Sequence, residues 1–174
     1  MKKVVLLAVF AAFSVSLFAQ TNVKYRGEVN AGYSFGVGTY AINRVNLNTI
    51  QGIQAGKYFS AGLGIGLDWW RGLYADYWKQ QGKGDMGELS MPIYLNVKGH
   101  LPVSEVITAF LTFDVGYGIA LTEGLDGFGG LYLTPGVGIQ IGKIKAEVGF
   151  NMQRITDVLN VNANAIKLSI GYVF

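Results

Sequence analysis

From Lys24 onward the chain repeats one pattern: apolar side chains recur at every second position, and the positions between them carry charges, amides, hydroxyls or glycine. A period of two belongs to a strand with one face in an apolar phase. No convincing helical periodicity follows the N-terminal segment. Phe59, Ala61, Leu63, Ile65, Leu67 and Trp69 alternate with Ser60, Gly62, Gly64, Gly66 and Asp68. The same split recurs over 24–37, 88–98, 107–119, 131–140, 144–153 and 166–174. A weaker segment, Val45 to Ala55, places Thr49 and Gln51 on its apolar parity. Counting it predicts eight strands.

The connections differ in an ordered way. Those after the second, fourth and sixth strands are short: Ala55 to Tyr58, Gly99 to Glu105, and Gly142-Lys143. Arg71 to Gly87 is long and polar, and Ala120 to Gly130 is glycine-rich. Short turns at one end and long loops at the other predict an all-β, eight-stranded antiparallel up-and-down barrel, with both chain ends on the short-turn side.

Period two does not say which parity faces inward. A soluble carrier of lipocalin type turns its apolar parity in, around a ligand, whereas a transmembrane barrel turns it out to lipid. The polar parity carries Lys24, Arg26, Lys98, Lys145 and Lys167 against Glu28, Asp68, Glu88, Asp114 and Glu147. Such a balance suits a closed lumen, where an unpaired charge costs several kcal/mol. Glycines on the same parity leave room for the long charged side chains. On the apolar parity, Tyr25, Phe59, Tyr172 and Phe174 fall near the short-turn ends of strands, and Phe35, Trp69 and Tyr117 near the others. Two aromatic girdles at membrane interfaces are thus expected. Turning the polar parity outward would cost roughly 2–4 kcal/mol for each mid-depth Lys or Arg. A transmembrane barrel with a polar lumen is therefore expected, in contact with outer-membrane lipid.

The N-terminus agrees. Lys2 and Lys3 precede an apolar run from Val4 to Phe18, and Ala19 precedes a polar stretch. This layout predicts a cleavable signal peptide over 1–19 and an exported barrel domain over 20–174, and an exported transmembrane barrel is expected in an outer membrane. The printed balance is Lys+Arg 14 against Asp+Glu 11; without Lys2 and Lys3 it becomes 12 against 11. Neither that balance nor any basic run suits a nucleic-acid partner. Cysteine is absent, which excludes disulfides, thiolate metal sites and a lipidated N-terminal cysteine.

Several segments then bear comparison with a known family. "TIQGIQAGKYFSAGLGIGLDWW", "MPIYLNVKGHL", "FLTFDVGYGI", "LYLTPGVGIQIGK" and the closing "LSIGYVF" resemble the small eight-stranded outer-membrane β-barrels of Gram-negative bacteria, the OmpA/OmpX-like porin superfamily. The resemblance covers nearly the whole of 20–174. It implies that Phe174, ending the last strand, is part of the signal read by the barrel-assembly machinery. Members serve as structural links, adhesins, lipid-modifying enzymes or narrow pores, so the fold alone does not select an activity.

No enzyme is expected. Barrels of this kind that act on lipid or peptide use a histidine near the outer rim, whereas His100, the only histidine, is expected exposed in a periplasmic turn. Asp68 and Glu88 are expected to form lumen ion pairs rather than a catalytic carboxylate pair. One histidine and no calcium-type acidic loop leave no metal site, and "GLGIGLD" lacks the spacing and following helix of a phosphate loop. No cofactor is expected. Tyr74, Tyr77 and Trp78 in the Arg71 to Gly87 loop are amphipathic rings suited to a surface contact or to lipid headgroups. The principal expectation is a monomeric structural barrel with a plugged lumen. The alternatives are an adhesin or ligand-binding barrel using the 71–87 loop, a narrow pore, and a secreted soluble lipocalin-like carrier.

Overall fold

The computed structural model describes residues 22–39, 41–71, 88–121, 129–155 and 161–174. Eight strands follow in chain order: β1 (Val23–Val37), β2 (Asn43–Ala55), β3 (Phe59–Arg71), β4 (Glu88–Pro102), β5 (Ile107–Ala120), β6 (Gly129–Ile141), β7 (Ile144–Ile155) and β8 (Val161–Val173). Each pairs with its sequence neighbours, and β8 pairs back onto β1, so the sheet closes into a barrel. All the pairings are antiparallel, as an up-and-down path requires.

Closure at the chain end is made by the backbone. Gly27 and Phe174 exchange both N–H···O bonds, each 2.9 Å. A Cβ on Gly27 would run into the Phe174 ring, so that glycine makes room for the terminal aromatic. At the same end lie the tight turns. The two-residue connection Gly142-Lys143 opens on a positive φ of 57°, a conformation that glycine adopts without a steric penalty.

The apolar parity faces out. Leu63 is 67 % exposed, Leu95 45 % and Ile139 42 %. The other parity is buried, and it holds Arg26, Glu28, Lys98 and Lys145. A soluble carrier requires the reverse, so the lipocalin-like alternative does not fit. A continuous apolar exterior of this extent belongs in hydrocarbon, and closure leaves no strand edge unpaired there. Thr49 and Gln51, which interrupted the pattern of β2, are reconciled with that setting. The Tyr25 hydroxyl bonds to Gln51, Gln51 donates to Thr49 Oγ1 at 2.6 Å, and Thr49 donates to the Glu28 carbonyl at 2.9 Å. Polar atoms on the outer face thus satisfy one another.

Three of the boundaries that differ from the sequence reading bear on the lumen. β2 begins at Asn43, which brings Arg44 into the sheet. β8 begins at Val161, five residues before Ile166, and extends its pairing with β7 up to Ile155. β4 continues through Gly99 to Pro102, because pairing with β5 persists as far as Pro102↔Thr108. His100 is therefore a buried strand residue and not an exposed turn residue.

Candidate functional site: the polar lumen

The inward side chains from successive strands fill the barrel in groups along its length. In the group toward the short turns, Glu28 is the centre. Its Oε1 accepts from Arg26 Nε at 2.8 Å, and its Oε2 lies 3.1 Å from Lys98 Nζ and 2.7 Å from Lys145 Nζ. Lys145 also reaches Glu147 at 3.1 Å. These groups come from β1, β4 and β7, so one carboxylate ties three separated strands together across the axis. Arg26 extends the tie, donating to Gln54 at 2.9 Å and Gln140 at 2.7 Å. Burying this many charges is tolerable only because each finds an opposite charge or a hydrogen-bond partner.

Next to it, Lys98 donates to Asn96 Oδ1 at 2.6 Å, and Asn96 donates to Thr112 at 2.9 Å and to Asp114. Ser60 Oγ and His100 Nε2 are 2.8 Å apart. A hydroxyl beside an imidazole is a familiar nucleophile pair. The small cavity that Ser60 lines, among the described residues, measures about 10 Å³, room for a single water. The His100 ring packs 6.1 Å from that of Phe110, over which Lys145 Nζ lies at 5.6 Å.

Aromatic rings fill the middle. Tyr94 and Tyr132 stack with centroids 5.3 Å apart and cluster with Ile50. Lys167 Nζ donates to the Tyr132 hydroxyl at 3.3 Å. The position opposite Tyr94 on β3 is Gly64, and a Cβ there would collide with the Tyr94 ring. Small residues on one strand thus accept large ones from the next, as a narrow barrel demands.

Toward the long loops the principal cation is Arg44, which is completely buried. Its Nη1 donates to Gln153 at 2.8 Å and its Nη2 to Asn151 at 2.7 Å, spanning from β2 to β7. Asn151 passes the chain on to Thr134 at 2.8 Å. Asp68 accepts from Asn46 at 2.6 Å, and Asn46 accepts from Ser34 at 2.6 Å. Glu88 is buried at this end as well.

Nine of the ten residues expected in the lumen are inside it, and Lys24 is the exception: it is exposed at the start of β1. It shares the parity of Arg26 and Glu28, but at the mouth of the barrel such a position still meets solvent. Arg44, which the sequence reading omitted, takes its place among the buried cations. Arg26, Arg44, Lys98, Lys145 and Lys167 then stand against Glu28, Asp68, Glu88, Asp114 and Glu147, and the balance is kept.

The aromatic residues Tyr25, Phe35, Phe59, Trp69, Tyr117, Tyr172 and Phe174 are all exposed on the outer face. Tyr25 and Tyr172 lie 6.3 Å and 6.5 Å from the Phe174 ring. Tyr74, Tyr77 and Trp78 lie outside the described residues. Among the described residues no three His, Cys, Asp or Glu side chains are placed to hold a metal ion.

No protein-family model matches the chain, and no curated protein does. Solved structures with a similar barrel include the N-terminal β-barrel domain of Pseudomonas aeruginosa OprF. It has 9 % identity and a TM-score of 0.49, with 89 % of this chain and 100 % of that one covered. The Yersinia pestis outer membrane protein Ail, determined in a phospholipid bilayer nanodisc, has 11 % identity and a TM-score of 0.43, covering 87 % and 100 %. A de novo designed transmembrane β-barrel has 10 % identity and a TM-score of 0.43, covering 86 % and 95 %. The chain's own closed ring of registers, rather than these likenesses, defines its fold as an eight-stranded antiparallel barrel.

Proposed function

We propose that this chain is an OmpA/OmpX-like integral barrel of the Gram-negative outer membrane, acting as a monomeric structural element of the envelope with a closed lumen. The observation that carries this reading is the grip of Arg26, Lys98 and Lys145 on Glu28, reinforced by Gln54 and Gln140. A solute moving along the axis would have to break buried ion pairs, pass the Tyr94–Tyr132 stack and then displace Arg44. Each obstruction costs several kcal/mol in a medium of low dielectric. In this reading the chain is exported through a cleaved 1–19 signal, and its last strand is handed to the barrel-assembly machinery. The test is conductance of the purified protein in a planar lipid bilayer. Current indistinguishable from that of bare lipid is expected, and sustained unitary currents would replace the structural reading with that of a narrow pore.

A further inference from the structure

On the outer face, Leu101, Ala109, Ile139, Ala146, Ile170 and Ala31 are successive register partners from β4 through β8 to β1. They form one row crossing the strands in which large and small side chains alternate. The alanines lower the surface, and a shallow apolar groove follows the row, with Tyr58 of the β2–β3 turn at its margin. Lys57 Nζ lies 5.1 Å from the centroid of the Tyr58 ring. Lys143 sits in the hairpin just beyond the Ile141↔Ile144 pair that caps Ile139 and Ala146, its Nζ 5.7 Å from the Tyr172 ring. Both lysines are exposed, and among the described residues neither has an ion-pair partner.

Among the described residues the short-turn rim is cationic. The short-turn rim carries exposed Lys24, Lys57 and Lys143 against Glu105. The sequences of the opposite connections contain Asp76, Asp85, Glu123, Asp126 and Asp157 against Lys79 and Lys83, with Arg71 and Arg154 at the adjoining ends of β3 and β7. A cation held over a tyrosine at the edge of an apolar groove is placed where a lipid phosphate lies when its acyl chain fills that groove.

We infer that the short-turn rim binds anionic glycerophospholipid, with headgroup phosphates at Lys57 and Lys143 and acyl chain along the alanine row. This rests on the membrane-spanning reading. The full chain, purified in mild detergent, is presented with equimolar dioleoylphosphatidylglycerol and dioleoylphosphatidylcholine, and retained lipid is counted by native mass spectrometry. The wild type retains the anionic lipid preferentially. Lys57→Gln and Lys143→Gln each lower that preference about fivefold, the contribution of one lysine near an anionic surface. Arg71→Gln, at the other rim, leaves it unchanged. Ala146→Phe, which fills the groove on the lipid-facing side, lowers retention of both lipids. Equal retention of the two lipids by the wild type, or a preference that survives Lys57→Gln with Lys143→Gln, overturns the inference, as does undiminished retention by Ala146→Phe. Protein that stays soluble without detergent and out of vesicles fails the membrane-spanning reading instead, and a gel shift on heating confirms that each variant has folded.

Discussion

Arg44 and Trp70 face each other inside the barrel, the guanidinium carbon 4.2 Å from the indole centroid, while Trp70 Nε1 donates to Ser90 Oγ at 2.7 Å. The two residues are register partners on β2 and β3, so the contact is made across neighbouring strands. An arginine suits the site because its planar fork satisfies Asn151 and Gln153 together while its face lies on the ring. Arg44→Ala leaves those two amide oxygens without their donor, at about 1–3 kcal/mol each, and a loss of about 2–6 kcal/mol is expected in urea unfolding from lipid vesicles. Arg44→Lys retains the charge but not the fork and is expected to fall between wild type and alanine.

Glu28 offers a sharper test because three cations share it. Glu28→Gln leaves Arg26, Lys98 and Lys145 with one anion fewer in a buried space, with an expected cost of about 3–5 kcal/mol. Adding Lys145→Gln removes one of the stranded charges. The double variant is therefore expected to be more stable than the sum of the two single losses predicts, with a coupling of about 1–3 kcal/mol. Strict additivity of the unfolding free energies would mean that the groups do not act as one network. Because the cluster is buried, moderate salt should change the coupling little.

Much of this architecture is legible in the sequence, since period two with charges confined to one parity states both the strands and their orientation. Depth is less legible. Lys24 and Arg26 share a parity, yet only Arg26 is far enough from the mouth to be enclosed. Arg44 precedes the weakest alternating segment and resembles a loop residue until Asn43↔Arg71 pairing is seen. Gly99 suggests a turn, although it is an outward strand position with open space around it, and His100 follows it into the lumen. Trp70, Tyr94, Phe110 and Tyr132 are buried on the polar parity. A large aromatic on the polar parity of such a barrel is lumen filling, and a glycine on a neighbouring strand marks where its ring lies.

Gly64 shows that complementarity in a measurable form. Its missing Cβ is occupied by the Tyr94 ring, so Gly64→Ala forces the ring and its Tyr132 stack to move. A loss of about 1–3 kcal/mol is expected, the usual cost of overpacking. Combining it with Tyr94→Ala removes the clash, so the second change should cost less in the Gly64→Ala background than in wild type. Equal costs in both backgrounds would place the ring elsewhere.

The lipid-facing assignment can be tested by depth. Leu63, the fifth residue of β3, is 67 % exposed, and Leu101, next to the short turn, is 65 % exposed. In water the two leucines would be equivalent surface positions. In a bilayer Leu63→Arg is expected to cost about 2–4 kcal/mol and Leu101→Arg about 0–1 kcal/mol. Unfolding from vesicles measures the difference, and similar small costs at both sites would contradict a hydrocarbon surround.

The terminal aromatic separates folding from delivery. Phe174→Ala leaves its backbone exchange with Gly27 possible while removing a ring that contacts Tyr25 and Tyr172. Because that ring is half exposed on the outer face, only a modest change, about 1 kcal/mol, is expected in unfolding from vesicles. If the last strand is also an address for the assembly machinery, the amount of heat-modifiable barrel recovered from cell envelopes should fall far more than that stability change accounts for. The two measurements are made on the same variant, so stability serves as the internal control. Envelope yield that merely tracks stability would reduce Phe174 to a packing residue at the rim, and normal yield would remove the assembly role altogether.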